Sequence, residues 1–477
     1  MFQRTTIFVF SIKLVFLSFI FLSCAPVTFS QQVSYTRSLD SVKAYIEKNY
    51  VGFADKVNAQ TQKAYQQHTA LSYQYAKRAI STADYYFIIR HWLTFFNDRH
   101  LQINPAVDTT HIVEKVQLDD KQIQKLYHAG AGSVEGIYYS SDSVYKVAVI
   151  KNKKGLRSYA GIMLSSKTSK WKAGQVKFEL FETGTHQYTG VWYNRLHNMY
   201  LTPIQFNAQK GLSDEGWYKQ GAAMKIETAA TPRFDEEKRV NTFFKTLNDS
   251  TCYLRIKSFD GSYAREIDSV IKANVKTIQS TAKLIIDLRG NGGGSDHCMS
   301  FLQPVLYTNP VQNIGVDLLT TPDNTAAWEF IIDQYRDKLP KAYLEDALKK
   351  IHQGDGKARS IVNFAADYTG TLPVVWANPA KVAVVIDGRC ASATEEFLLF
   401  ARQSTKTKMA GEHSQGVLDY SNVVRKDFSS PPFTLNYPTT RSRRLDAGLG
   451  IDNKGIQPDI PLNLSKNNWL EELMKQW

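Results

Sequence analysis

The octapeptide Cys390-Ala391-Ser392-Ala393-Thr394-Glu395-Glu396-Phe397 decides how the chain is read. Before it runs an uninterrupted apolar stretch, Val382-Ala383-Val384-Val385-Ile386, with the character of a strand buried on both faces. After it, Phe397-Leu398-Leu399-Phe400-Ala401 continues as an apolar helical pattern. A small serine between alanines thus stands where a strand turns into a helix N-terminus. Its neighbours leave room for a substrate, and free helix N–H groups can stabilise negative charge on an attacked carbonyl. Serine is also a common helix cap, so Ser392 alone is a weak signal. Earlier in the chain a second strand, Leu284-Ile285-Ile286-Asp287-Leu288-Arg289, runs into Gly290-Asn291-Gly292-Gly293-Gly294-Ser295. This loop fails the dinucleotide fingerprint, because Ser295 stands at the third glycine position, and it has no Gly-Lys-Ser/Thr of a phosphate loop. It is either a tight strand exit needing positive φ or a row of unobstructed glycine N–H groups forming half of an oxyanion hole. Two strand-to-loop elements in this order point to a serine hydrolase.

The 477 residues, 43% hydrophobic and 22% charged, suffice for two or three domains with full cores, and no repeat or low-complexity tract interrupts them. The first thirty residues differ. Arg4 and Lys13 are their only charges, and an apolar run follows from Leu14 to Leu22. That is a signal peptide over residues 1–30 rather than a membrane span, and no later run is long enough to span a bilayer. Cleavage after Ser30 makes the protein exported, periplasmic or extracellular. The lipobox-like Phe21-Leu22-Ser23-Cys24 offers the alternative of a lipoprotein held on an envelope membrane through Cys24. Beyond the leader, Cys252, Cys298 and Cys390 make neither a disulfide framework nor a metal pair; they fit small buried hydrophobes, with one bridge left open. The formal charge is +13, yet Lys and Arg are scattered, with Arg441, Arg443 and Arg444 the tightest cluster. This predicts a solvated basic surface or a preference for anionic partners, and the arginine–aromatic array of a nucleic-acid binder is missing. No His-Glu-x-x-His or other metal-ligand spacing occurs, and no cofactor is implied.

Organisation along the chain predicts an N-terminal helical domain over 31–125, a β-rich domain over 126–206 and a core domain over 207–477. Ser38-Leu39-Asp40-Ser41 and Ser81-Thr82-Ala83-Asp84 are helix starts, and the second pattern ends at Asn97-Asp98-Arg99-His100. Gly136–Tyr139, Tyr145–Ile150, Gln175–Leu180 and Gly190–Tyr193 are predicted strands of a small, barrel-like domain. From Cys252 onward, strands alternate with helices, with a polar helical insertion near Ala326–His352, which indicates one α/β layer structure.

Taken together, strand-Asp-Leu-Arg-x-Asn-Gly-Gly-Gly followed by strand-x-x-x-Ser-Ala-Ser/Thr-Glu resembles the C-terminal-processing (tail-specific) serine peptidases. Their relatives include the tricorn core protease and the interphotoreceptor retinoid-binding protein repeats. The resemblance spans roughly Ser250–Leu464 and is thinner over 38–105. It implies a ClpP/crotonase-like ββα spiral core with Ser392 as nucleophile. The N–H groups of Ala393 and one of Gly292 or Gly293 would form the oxyanion hole. The tail-specific branch places its lysine base after Gly-Glu-x-x-x-Gly; here Gly411-Glu412-His413-Ser414-Gln415-Gly416 is followed by Val417, which excludes that dyad.

The tricorn-like branch implies a histidine base and a C-terminal acid instead. Asn97-Asp98-Arg99-His100-Leu101 resembles its Asp-x-His element, and Gly450-Ile451-Asp452-Asn453-Lys454-Gly455-Ile456-Gln457-Pro458-Asp459-Ile460 its acid-bearing segment. His100 is thereby implied as base and Asp452 as acid, with Asp98 as an alternative orienting group and His297 or His413 as alternative bases. Histidine suits the task, since its ordinary pKa of ~6.5 lets it take the serine proton and return it to a leaving amine. The family's usual PDZ module is not recognisable; the β-rich segment occupies its place. The expected function is therefore a serine peptidase acting on peptide or protein substrates through an acyl-enzyme on Ser392. The rivals are a non-catalytic peptide- or lipid-binding protein on a peptidase scaffold, and an esterase or amidase.

Overall fold

A computed structural model describes residues 34–108, 113–221, 240–337 and 339–477. The expected leader, with Cys24, lies outside the described residues. No helix among those described is long and apolar enough to cross a membrane.

The core is a six-stranded sheet in the order Thr242–Asn248, Thr251–Ile256, Lys283–Asp287, Lys381–Ile386, Thr407–Gly411 and Ile460–Pro461. The first pair is antiparallel and the rest are parallel. Strand periodicity sorts the apolar runs onto two faces. Leu284, Ile286, Val382, Val384 and Ile386 pack under helices Ala264–Ser280 and Ala393–Ala401 through Ile267, Ile271, Phe397 and Leu398. Ile285, Ala383 and Val385 face the other way, toward Leu473 of the C-terminal helix Trp469–Gln476. Each buried Val, Leu, Ile or Phe among them contributes about 1.5–3 kcal/mol. This is an α/β fold, as the alternation of strands and helices predicted. Cys252, Cys298 and Cys390 are free and buried.

A second sheet was not foreseen. The hairpin Tyr420–Ser429/Pro432–Ser442 pairs on one side with Gln102–Pro105, and Val316–Thr320 joins it to Ser360–Ala365. Gln102 stands opposite Asn436, so this sheet stitches the N-terminal helices to the core. Those helices, Tyr35–Asn49, Gln62–Arg78 and Thr82–Leu93, meet it through a buried aromatic cluster containing Tyr50, Trp92, Phe96 and Tyr437.

The β-rich segment is one eight-stranded antiparallel sheet running from Gly136–Ser140 to Trp217–Lys219, past the expected boundary at 206. Gly211–Leu212 and Trp217–Lys219 fold back beside Gly136–Ser140. No pair joins its edge strands, Met199–Gln205 and Gly211–Leu212, so it is open rather than barrel-like among the described residues. The basic cluster is not a free patch either. Arg441 pairs with Asp55 and Asp446, Arg443 with Asp367, and Arg444 with Glu396.

Candidate active site

Both predicted loops leave the carboxyl ends of neighbouring parallel strands, where α/β sheets place their sites. Asp287 and Val385 are partners in the register, so Gly290–Gly294 and Asp387–Ser392 emerge side by side. The loops are then laced together. Gly290 N–H donates to Asp387 Oδ1 at 2.8 Å, Ala391 N–H to the Asn291 carbonyl at 3.2 Å, and Thr394 Oγ1 to Asn291 Oδ1 at 2.9 Å. Beneath them the fully buried Asp287 carboxylate accepts from Tyr253 Oη at 2.7 Å and from Arg289 Nη2 at 2.6 Å. Burying that charge without such partners would cost several kcal/mol.

Ser392 ends the second loop with φ 55° and ψ −124°, a backbone region that side chains disfavour. Its N–H donates to the Val417 carbonyl at 3.1 Å and to Glu395 Oε2 at 3.2 Å. Val417 is buried, so an aliphatic side chain stands where the tail-specific branch has its lysine. Ala393 is the first residue of its helix, and its N–H has no partner within the helix.

The two candidate glycines separate. Gly293 (φ 93°) packs so closely that an added Cβ would stand 2.6 Å from the Ala391 carbonyl oxygen and 2.9 Å from Ala393 N. Its N–H already donates to Asn291 Oδ1 at 3.1 Å. Gly292 is exposed, its N–H forms no backbone hydrogen bond, and a Cβ there would meet open space. Gly292 thus carries the free donor, and Gly293 lets the loop approach the serine. We therefore expect Gly292→Ala to keep most of the reactivity of Ser392. Gly293→Ala should lose it and cost about 1–3 kcal/mol of stability, from φ strain and overpacking. Labelling rates and denaturant midpoints of the two variants check this.

His100 comes from the N-terminal region and bonds the same 417–420 stretch as Ser392. It follows Asn97, which turns the chain in the left-handed conformation (φ 45°), and precedes strand Gln102–Pro105. Its Nδ1 lies 2.7 Å from the Tyr420 carbonyl oxygen. That contact requires the proton on Nδ1 and leaves Nε2 as the acceptor. The expected Asp452–His100 bond is thus replaced by a carbonyl–imidazole bond. Asp452 Oδ1 instead accepts the N–H groups of Leu418 and Asp419, at 2.9 and 2.8 Å. Aspartate is the shorter carboxylate at that position, and these amides hold it. Burial, with Asp419 and Asp98 adding to it, pushes the Asp452 pKa up to about 7.

One extended stretch therefore threads the whole constellation. The Val417 carbonyl holds Ser392, the Leu418 and Asp419 amides hold Asp452, and the Tyr420 carbonyl holds His100. Three residue steps span at most about 10 Å. Of the two alternative bases, His297 is exposed against Phe301, and His413 is exposed with Nδ1 2.7 Å from the Ser414 carbonyl oxygen.

The hydrogen-bonding roles of three residues escaped the sequence reading, which gave Glu395 only electrostatic support of the helix N-terminus. Asn291 is fully buried, and its Oδ1 gathers Phe259 N, Gly293 N and Thr394 Oγ1. Glu395 is fully buried and gathers Ser392 N, Ser414 Oγ, Gly416 N and Val417 N. Tyr420 acts through its backbone carbonyl, for which no side-chain pattern exists.

The class that this fold and site define is a serine-type peptidase. Residues 250–462 match the family model described as Peptidase family S41. Among solved structures, mature CPAF is similar over 93% of this chain and 96% of its own, at 12% identity and TM-score 0.52. The photosystem II D1 C-terminal processing protease aligns over 91% of this chain and 94% of its own, at 13% identity and TM-score 0.36. An S41 protease structure from Bacteroides fragilis aligns over 92% and 96%, at 12% identity and TM-score 0.35. At such identities the likeness to CPAF is one of fold, and function has to be argued from the site. No curated protein matches the chain by sequence.

Proposed function

We propose that the protein cleaves peptide bonds through an acyl-enzyme on Ser392, with His100 as general base. The observation that supports this is the single thread Val417–Tyr420, whose backbone groups bond Ser392, Asp452 and His100 in turn. His100 Nε2 takes the Oγ proton as the new C–O bond forms, and the carbonyl π electrons move onto oxygen. The N–H groups of Ala393 and Gly292 receive that oxyanion, a contribution of about 3–4 kcal/mol per donor in such sites. Collapse of the intermediate expels the amine, which leaves with the proton from His100, and water then repeats the sequence to free Ser392. The substrate is a peptide or protein. Export is part of the proposal, supported by the charged start and apolar run of residues 1–30, with Cys24 as an alternative lipid anchor.

The test is fluorophosphonate labelling of residues 31–477 beside Ser392→Ala and His100→Ala. Labelling of the parent, lost in the first variant and strongly slowed in the second, is expected. An unlabelled parent would overturn the reading in favour of a binding protein on a peptidase scaffold.

A further inference from the structure

We infer that Asp98 is a positioning residue for His100, supplying the negative charge that the imidazolium meets during acylation, a role the resemblance gave to Asp452. The inference rests on His100 being the base. Asp98 is 6% exposed, and two bonds hold its carboxylate: Oδ1 accepts the backbone N–H of His100 at 2.9 Å, and Oδ2 accepts Tyr50 Oη at 2.8 Å. The first bond makes a tight turn that fixes where the His100 backbone stands. The second comes from the residue following helix Tyr35–Asn49, so two elements hold one buried carboxylate beside the base's backbone. Tyr50 remains a donor, because burial first and Asp98 next hold its phenol well above its ordinary pKa.

A carboxylate has about four acceptor sites, and a buried one with two neutral donors is poorly compensated. The charged and titratable groups facing Asp98 are few. His100 and Lys56 are the cations, and Lys56 Nζ lies 5.0 Å over the Tyr420 ring. Asp452 lies on the opposing loop, joined to this one by Asn453 Nδ2 donating to the Asn97 carbonyl at 3.0 Å. Asp98 forms no ion pair with Lys or Arg among the described residues. While His100 is neutral, the Asp98 charge is therefore under-compensated, and the imidazolium formed as Ser392 loses its proton compensates it. An interaction stronger in the transition state than before it accelerates the step. Asp452 is less suited, because its Oδ1 is spent on two amides and it faces the like charges of Asp419 and Asp98.

The experiment is the pH dependence of fluorophosphonate labelling for the parent and for Asp98→Asn, Asp452→Asn and Tyr50→Phe. The acid limb reports protonation of His100. Removing a nearby negative charge destabilises the imidazolium, so in Asp98→Asn the limb should move down by about one pH unit or more, with labelling at neutral pH slowed roughly tenfold to a hundredfold. Asp452→Asn should leave the limb in place. Should Asp98→Asn fail to fold, Tyr50→Phe decides. Loss of its hydrogen bond raises the Asp98 pKa, thins the charge and moves the limb the same way by less. An unmoved limb in Asp98→Asn, or in Tyr50→Phe where that variant decides, reduces Asp98 to a turn residue; a shift in Asp452→Asn alone returns the role to Asp452. Either overturns the inference, whereas absence of labelling in the parent removes the underlying reading instead.

Discussion

A Ser392→Gly variant is expected to be more stable than the parent while losing turnover by about 10^6-fold, the scale on which a serine peptidase suffers without its nucleophile. The two effects share one cause. At φ 55° and ψ −124° the Ser392 backbone lies where a Cβ is crowded and glycine is at ease. Strain of this kind costs on the order of 1–3 kcal/mol. It persists because the surroundings determine the backbone: Ser392 N–H is held by Val417 and Glu395, and the Ser392 carbonyl accepts Glu396 N–H at 3.0 Å. The strained turn sets Ser392, half-buried, immediately before the helix N-terminus at Ala393. Glycine relieves the strain but loses some of the gain to the greater freedom of its unfolded chain. The net rise in denaturation free energy should be about 1–2 kcal/mol, read against Ser392→Ala, which loses activity without gaining stability. A glycine variant no more stable than the alanine variant would mean that the turn stores nothing.

What the sequence disclosed depended on whether the information was local. The strands Lys283–Asp287 and Lys381–Ile386 were legible because burial on both faces demands a continuous apolar run, and their loops were legible because glycine and small residues are rare there without cause. His100 could be placed only by resemblance, since it is far from Ser392 in the chain. What joins them is the hairpin Tyr420–Ser442 pairing with Gln102–Pro105, a long-range register that no local pattern encodes. Alternation inside the β-rich segment marked four strands, but Gly211–Leu212 and Trp217–Lys219 are too short to carry a period. Asp452 was visible only through the resemblance of segment 450–460 to an acid-bearing one. That its oxygen would be taken by two amides depends on how loop 417–420 lies against it.

Glu395→Ala should be the most damaging single change outside the reacting groups, at about 3–5 kcal/mol of stability and roughly a hundredfold in labelling rate. The carboxylate is fully buried in the first turn of helix Ala393–Ala401, where the helix N-terminus favours negative charge. Four donors converge on it: Ser392 N at 3.2 Å, Ser414 Oγ at 2.5 Å, and Gly416 N and Val417 N at 2.7 Å each. Ser392 N–H would keep the Val417 carbonyl, but alanine would leave Ser414 Oγ, Gly416 N–H and Val417 N–H without this acceptor, and an orphaned buried polar group costs about 1–3 kcal/mol. The kinetic loss follows from what the loop carries. Residues 414–417 lead directly into the stretch that holds Asp452 and His100, so slack at Glu395 moves the base relative to the nucleophile. A misplacement of about 1 Å between reacting groups can cost a hundredfold. Glu395→Gln should fall between, because its amide keeps one acceptor oxygen and turns an NH2 group toward N–H donors. Urea midpoints measured beside labelling rates separate the two consequences. Full reactivity in a destabilised Glu395→Ala would show that the loop holds its place without the carboxylate, and that the thread from Ser392 to His100 is anchored elsewhere.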